Sequence, residues 1–162
     1  MSEINADLPH GRKFLVVIDG SPEADLALRY AARAAQHAGG HVTLLYVMNP
    51  VEFAYWIGVK EKMQDEARGE AESVVHSAAK LINETSGLRP EIVIRQGQKN
   101  EEILALIRED THIAALILGA STGKGGPGPL VSMLASELAG SFPIPVTIVP
   151  GSLPPEKLDE LV

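Results

Sequence analysis

Five short apolar segments, separated by stretches of helical periodicity, constrain the fold of this 162-residue chain most strongly. The first, residues 14–18, reads Phe-Leu-Val-Val-Ile without a polar break. A continuous run of this kind is typical of a strand buried on both faces, as in a parallel sheet covered by helices. Further strands are predicted at residues 42–47, 92–94, 113–118 and 146–149. Their alternation with helices predicts an α/β fold, a five-stranded parallel sheet with right-handed crossovers and helices on both faces.

The segments between the strands carry helix signals. Ser21, Pro22 and Glu23 are typical of a helix start, because they supply a side-chain cap, a proline at the first position and an acid at the positive end of the dipole. Two glycines at residues 39–40 end this helix. Further helices are predicted from about residue 59 to Ser86, from a cap at Asn100, and over residues 130–139. After Pro150 we expect a loosely held arm.

Composition and charge narrow the function classes. The formal net charge of −7 opposes broad attraction to nucleic acid or anionic membranes, although backbone amides can still bind one small anion. The absence of cysteine excludes disulfides, thiolate metal sites and thiol catalysis, and the five histidines show no metal-ligand spacing. Residues 1–13 lack the apolar core of a secretory signal, and the apolar runs are shorter than the ~20 residues that span a bilayer. We expect a cytoplasmic protein without nucleic-acid or membrane partners.

Two segments that follow predicted strands are candidate ligand-binding elements. In parallel sheets, ligands bind outside the carboxyl ends of the strands, where the strand order reverses. Asp19 follows the first strand, where it can anchor a ribose or a metal or serve as a turn residue. Residues 119–128 follow the fourth strand and read Gly-Ala-Ser-Thr-Gly-Lys-Gly-Gly-Pro-Gly.

The glycine-rich loop can bind phosphate through convergent backbone amides. Lys124 would add a charge, and Ser121 and Thr122 would add hydroxyls. On this hypothesis Gly123 and Gly125 adopt positive φ, which β-branched residues resist. The alternative is a surface loop whose glycines only turn the chain. A P-loop is excluded, because its first glycine would fall at Leu118 and its final Ser/Thr at Gly125.

The sequence resembles the universal stress protein family over residues 12–150. The resemblance is carried by Val-Val-Ile-Asp-Gly-Ser at residues 16–21, Leu-Leu-Tyr-Val at residues 44–47, Gly97, the glycine-rich loop after Gly119, and Pro-Ile-Pro-Val at residues 143–146. It implies one domain over residues 12–150, between an N-terminal arm (1–11) and a C-terminal tail (151–162). It also implies the strand order 3-2-1-4-5 and a dimer.

In one branch of the family, the resemblance further implies ATP binding through the motif G-x2-G-x9-G-[ST]. Aligned from Gly119, this chain has Thr122, Ser132 and Met133 at the other three signature positions, so one of the four is kept. Carried over by position, Asp19 and Val47 would contact the adenosine. The amides around Gly119, Ser121, Thr122, Ser132 and Met133 would face the phosphates.

Three functions are open at this point. The first is a stress-response sensor or adaptor that binds ATP or another adenine nucleotide, with Mg²⁺ accompanying it. The second is a nucleotide-free dimer that acts through protein interaction. The third, slow ATP hydrolysis or phosphotransfer, ranks lowest because no base can be named.

A homodimer is expected through the last strand, residues 146–149, because an exposed apolar edge strand needs a cover. The tail from residue 152 could cover that edge instead. Phe53, Tyr55 and Trp56 are interpreted as a flap over the site, a partner surface, or residues that close the edge of the core.

Overall fold

The computed structural model describes residues 11–48, 61–136 and 138–162. In these ranges the strands are β1 (Lys13–Val17), β2 (His41–Met48), β3 (Glu91–Gln96), β4 (Ile113–Ala120) and β5 (Val146–Pro150). The helices are α1 (Pro22–Ala38), α2 (Glu61–Ser86), α3 (Lys99–Glu109), α4 (Pro129–Ser136) and α5 (Pro155–Leu161). No helix within these ranges is both long enough and apolar enough to cross a membrane. Residues 1–10 of the predicted N-terminal arm (1–11) and the aromatic residues Phe53, Tyr55 and Trp56 lie outside the described residues.

The strands form one parallel sheet in the order β3-β2-β1-β4-β5, which confirms the predicted fold class and strand order. In the centre of the sheet, Val16 pairs with Leu44 of β2 on one side and with Ile117 of β4 on the other. The strand order therefore reverses at β1, and the two segments that leave β1 and β4 emerge side by side.

Both faces of the sheet are buried along its three central strands, β2, β1 and β4, as their apolar runs predict. One face presents Val16, Ile18 and Leu44 to a core cluster that includes the small residues of α1, Ile82 of α2 and Leu158 of α5. The other face presents Leu15, Leu45 and Leu116 to α3 and α4. Alternate residues of β1 thus enter different cores.

Helix α1 begins and ends where its sequence predicts. The Ser21 hydroxyl accepts a hydrogen bond from the Ala24 N–H (3.3 Å), Pro22 is the first helical residue, and Gly39 ends the helix with φ of 66°. The start of α3 differs from the prediction. Asn100 lies inside that helix, and Gln98 precedes it without a side-chain capping bond.

The C-terminal tail is a docked helix, so the expectation of a loosely held arm is wrong for residues 155–161. Helix α5 packs against α1, and its Leu158 is fully buried in the core. Arg29 of α1 donates from Nε and Nη2 to the two carboxylate oxygens of Asp159, at 2.9 and 2.6 Å. An apolar residue at the correct helical position, Leu158, was the sequence signal for docking.

An ion cluster joins several elements at the amino ends of the strands. Lys13 Nζ contacts Asp110 Oδ2 at 2.7 Å and Glu91 Oε1 at 3.1 Å, and the Thr43 hydroxyl donates to Glu91 at 2.9 Å. Burial opposes the charge of Lys13, but its bonds to Asp110 and Glu91 outweigh this, so the pKa of Lys13 is raised. The cluster therefore lies at the end of the sheet opposite to the carboxyl ends of the strands.

Candidate functional site

A pocket of about 140 Å³ opens where the carboxyl ends of β1 and β4 meet. In an open parallel sheet this is the place where ligands bind, because the chain leaves the two strands in opposite directions. We call it the first pocket. Its lining includes Asp19 after β1, Glu23 in α1, Lys99 in α3, Gly119 in β4, and Gly128, Leu130 and Val131 around the start of α4.

A second pocket of about 210 Å³ lies at the carboxyl ends of β1 and β2. It is lined by Ile18, Asp19, Tyr46, Val47, Glu70, Gly97 and Lys99. Because Asp19 and Lys99 line both pockets, the two are neighbours in one site. We call the combined site the cleft. Of the residues predicted from the sequence, Asp19, Val47 and Gly119 lie in the cleft.

Asp19 is placed by the turn that connects β1 to α1. Its carboxylate Oδ1 accepts a hydrogen bond from the Ser21 N–H at 2.9 Å, and Gly20 turns the chain with φ of 82°. The side chain is exposed and has oxygen lone pairs left for a ligand. Both interpretations of Asp19, turn residue and ligand anchor, are therefore compatible with the geometry.

Gly119 has a packing role that is independent of any ligand. A Cβ atom at this position would overlap the main-chain carbonyl oxygen of Glu23 in the first turn of α1. The glycine allows α1 to begin close against β4. The resemblance to a nucleotide-binding motif at Gly119 is thus also what the packing of these two elements requires.

The central part of the glycine-rich loop lies outside both pockets. The Ser121 N–H donates to Pro127 O at 3.0 Å, the Gly123 N–H donates to Ser121 Oγ at 3.1 Å, and the Gly126 N–H donates to Gly123 O at 3.2 Å. These amides are thus bonded within the loop. Thr122, Lys124 and Gly125 are exposed, and none of residues 121–125 lines the cleft.

The glycines with positive φ are not those expected. Gly126 and Gly128 have φ of 88° and 110°, whereas Gly123 and Gly125 do not adopt positive φ, so the expectation for that pair is wrong. The physical reason is that the loop turns at its C-terminal half, where the chain approaches Pro129. The spacing of the glycines in the sequence does not show which of them adopt positive φ.

The start of α4 forms a wall of the first pocket. Leu130 and Val131 line it, and the first-turn amides of a helix have no acceptor within that helix. Ser132 and Met133, the next two residues of α4, do not line the cleft, and the Ser132 N–H already donates to Gly128 O at 3.0 Å. Sequence reasoning passed over Leu130 and Val131 because their side chains read only as core residues.

The charges around the cleft are mostly negative. Asp19, Glu23 and Glu70 are among its lining residues, and Lys99 is the one cation among the described residues that line it. The pKa of nearby Asp25 is raised by burial and by the Asp19 carboxylate, which reflects the same negative field. Glu23, Glu70 and Lys99 were not predicted as site residues. The position of Lys99 directly after a strand end was the available signal.

Metal ligands are not gathered in the described part of the chain. There, no group of three or more His, Asp or Glu side chains has a geometry that could hold a metal ion.

Strand β5 forms one edge of the sheet, because it pairs only with β4 among the described strands. Ile148 on this strand is 39% exposed. A neighbouring apolar groove of about 260 Å³ is lined by Leu134, Ala135, Ala139, Phe142, Ile144, Pro145, Val146 and Ile148. Helix α5 packs on α1 and leaves Ile148 accessible.

Comparison with known proteins gives matches over most of the chain. A sequence model described as the Universal stress protein family matches residues 11–150. A universal stress protein of Mycolicibacterium smegmatis is 29% identical over 143 residues, which cover 85% of this chain. The chain spans about half, 47%, of the length of that relative.

Solved structures share the fold. The universal stress protein UspA from Lactobacillus plantarum superimposes with a TM-score of 0.66 at 21% identity, covering 85% of this chain and 97% of that one. A universal stress protein in complex with cAMP gives 0.61 at 15% identity, covering 88% and 99%. A universal stress protein from Archaeoglobus fulgidus in complex with dAMP gives 0.61 at 17% identity, covering 86% and 98%. At these identities the likeness concerns the fold.

Proposed function

The chain belongs to the universal stress protein family, and from this premise we propose that it binds an adenine nucleotide in the cleft and acts as a sensor or adaptor in the stress response. The observation that carries the proposal is the pair of adjoining pockets that share Asp19 and Lys99. The second pocket reaches the end of β2, and the first pocket reaches the start of α4. This arrangement matches a ligand with a nucleoside part and a phosphate part.

The second pocket is the proposed nucleoside side. Val47 is 8% exposed and offers an apolar wall for a base, while the Asp19 carboxylate can accept hydrogen bonds from ribose hydroxyls. These are the two residues that the family resemblance assigns to adenosine. The structural relatives in complex with cAMP and dAMP support an adenine ligand for this fold.

The first pocket is the proposed phosphate side. Helix N-termini favour anions, because their free amides and the helix dipole both point at the ligand. We assign the phosphate contacts to the amides of Leu130 and Val131 in the first turn of α4. For Ser121 and Gly123 to bind phosphate, their amides would first have to release Pro127 O and Ser121 Oγ. Thr122, Ser132 and Met133 do not line the cleft, so phosphate contacts from these residues would require the loop or the start of α4 to move.

The charge of the cleft bears on which adenine nucleotide binds best. ATP is the ligand that the family resemblance implies, yet three carboxylates line the cleft. Each repels a free polyphosphate, and a Mg²⁺ ion brought in by the nucleotide reduces that repulsion. We therefore expect ATP to bind as its magnesium complex, and a nucleotide with one phosphate to bind without a metal.

Calorimetric titration with AMP, cAMP and ATP, each with and without Mg²⁺, tests the proposal. At least one ligand is expected to give saturable heat. Replacing Asp19 with Ala is expected to weaken binding by about 10-fold or more, since a lost hydrogen bond to a charged group costs roughly 1.5–3 kcal/mol. Glu160→Ala, which removes an exposed carboxylate outside both pockets, should leave the affinity unchanged. Absence of heat for every nucleotide at millimolar concentration contradicts the proposal.

A second candidate function is a dimer that acts through protein interaction without a nucleotide. The exposed Ile148 and its apolar groove favour it, because an open edge strand beside apolar surface is a pairing site. Pairing of β5 with β5 of a second copy would be self-complementary about a two-fold axis. We propose this homodimer for either function. A protein that dimerises but gives no heat with any nucleotide would support the second candidate over the first.

A further inference from the structure

We propose that Lys99 is the phosphate-binding cation of the cleft, and that it selects a nucleotide over the corresponding nucleoside. The inference rests on the proposed function and adds a residue that determines ligand class. Lys99 lines both pockets, a position that it shares only with Asp19 among the described residues.

The fold delivers Lys99 to the cleft through the end of β3. The chain leaves that strand, turns at Gly97, and enters α3 with Lys99 as the first helical residue. Gly97 has φ of 147°, and a Cβ there would lie 2.7 Å from Glu102 Oε2. The turn places the first residue of α3 at the carboxyl ends of the strands, where Lys99 lines the same two pockets as Asp19.

The position of Lys99 is electrostatically unfavourable for the isolated fold. The amino end of a helix carries partial positive charge, which repels a lysine and attracts acids such as Glu101 and Glu102. Among the residues that the structure describes, no carboxylate forms an ion pair with Lys99. The charge of Lys99 therefore does not stabilise α3. An anionic ligand in the cleft would form the ion pair that this side chain lacks among the described residues.

The carboxylates around Lys99 make its positive charge important for the affinity of the cleft for a phosphate. Asp19 and Glu23 line the first pocket, and Asp19 and Glu70 line the second, so without Lys99 the charged side chains described in each pocket would all be negative. An uncharged nucleoside is indifferent to this balance, whereas a phosphate is repelled unless a cation offsets the carboxylates. Lys99 is the described side chain that provides it.

Lys124 is the matched control, because it is the lysine that the loop sequence would favour for phosphate. It lies on the exposed part of the glycine-rich loop and lines neither pocket. Substituting either lysine changes the net charge of the protein equally, so a long-range charge effect would appear in both variants. An effect that depends on direct contact with the ligand would appear only in the Lys99 variant.

The test is calorimetric titration of wild type, Lys99→Met and Lys124→Met with adenosine and with AMP, at low and at physiological salt. Wild type is expected to bind AMP about 10-fold or more tightly than adenosine, and Lys99→Met should lose that preference while keeping its adenosine affinity within about twofold. Lys124→Met should behave as wild type with both ligands. Lys99→Arg, which keeps the charge, should retain the preference for AMP.

Other outcomes separate the inference from the function on which it rests. Equal wild-type affinities for adenosine and AMP, or loss of AMP binding in Lys124→Met instead of Lys99→Met, overturn the role of Lys99 and leave the nucleotide site standing. A wild-type protein that binds neither ligand overturns both. Thermal unfolding of Lys99→Met should match or exceed wild type, because the substitution removes a cation from the positive end of a helix. A large loss of thermal stability would indicate a structural role and overturn the inference.

Discussion

Gly119 of β4 lies directly against the main-chain carbonyl oxygen of Glu23 in the first turn of α1, with no space between them for a Cβ atom. The contact fixes where α1 begins relative to the end of β4. Since both residues also line the first pocket, the packing of these two elements and the shape of the site depend on the same glycine.

Replacing Gly119 with Ala should therefore lower the free energy of unfolding and distort the first pocket. Overpacking of a close contact typically costs about 1–3 kcal/mol, because the helix or the strand must shift. Urea denaturation measures the loss. Gly125→Ala is the control, since a Cβ there meets no atom within 4 Å and the residue does not adopt positive φ. An equal effect of the two substitutions would contradict the contact.

Gly128→Ala tests the part of the loop that approaches α4. With φ of 110°, this residue occupies a region that side chains strongly disfavour, and the expected cost is about 1–3 kcal/mol in the free energy of unfolding. Because Gly128 lines the first pocket, nucleotide affinity should fall as well. Gly123→Ala should change neither quantity appreciably, since its Cβ would make only an ordinary 3.5 Å contact with Ser121 Oγ.

Leu158→Ala should show that α5 is part of the folded domain. The side chain is fully buried against the face of the sheet that α1 covers, and truncation of such a leucine typically costs about 2–5 kcal/mol. Denaturant unfolding gives the value. Leu161→Ala on the same helix is the control, because that residue is 62% exposed. A loosely held tail would give no effect at either position.

The Arg29–Asp159 ion pair predicts a specific pH dependence. Hydrogen bonds from Arg29, with a smaller contribution from Arg33, lower the pKa of Asp159 from its ordinary 3.8 to about 2. A lowered folded-state pKa means that the pair stabilises the fold above pH 4 and that this contribution is lost as the pH falls towards 2.

Melting curves of wild type and Asp159→Asn, recorded from pH 6 down to 2, test this dependence. The wild type should melt at the higher temperature near pH 6, and the two curves should converge near pH 2. Glu160→Gln, a neighbouring exposed carboxylate, should follow the wild-type curve throughout. A difference between wild type and Asp159→Asn that stays constant with pH would contradict the ion pair.

The proposed homodimer predicts that the two edges of the sheet differ. Ile148→Lys on β5 should shift the protein from dimer to monomer in light scattering at tens of micromolar, because a charge would enter the strand-to-strand contact. Ile94→Lys on β3 is the matched control, since Ile94 is 49% exposed on the opposite edge. The proposal fails if wild type is monomeric, or if Ile94→Lys rather than Ile148→Lys dissociates the dimer.

Much of the architecture could be predicted from the sequence, because its signals are local. The apolar run of residues 14–18 encodes burial on both faces, and Ser21 with Pro22 encodes the start of α1 through capping chemistry that needs no tertiary contact. The tail was predicted wrongly because its prolines read as a break. What holds α5 in place is Leu158 meeting a core formed more than a hundred residues earlier in the chain.

The candidate site was less accessible to sequence reasoning. Which amides of the glycine-rich loop are free depends on bonds such as the Ser121 N–H to Pro127 O, which follow from the path of the loop rather than from its composition. Lys99 and Glu70 reach the cleft from elements distant in sequence. Only the assembled sheet brings their charges beside Asp19.

The ion cluster around Lys13 has a mechanical consequence for the domain. Lys13 of β1 contacts Glu91 of β3 and Asp110, which precedes β4, and the Thr43 hydroxyl of β2 donates to Glu91, so the cluster links the amino ends of three of the five strands, β1, β2 and β3. We therefore expect a ligand that binds at the carboxyl ends of the strands to move the connecting loops there more readily than the strand ends that the cluster joins.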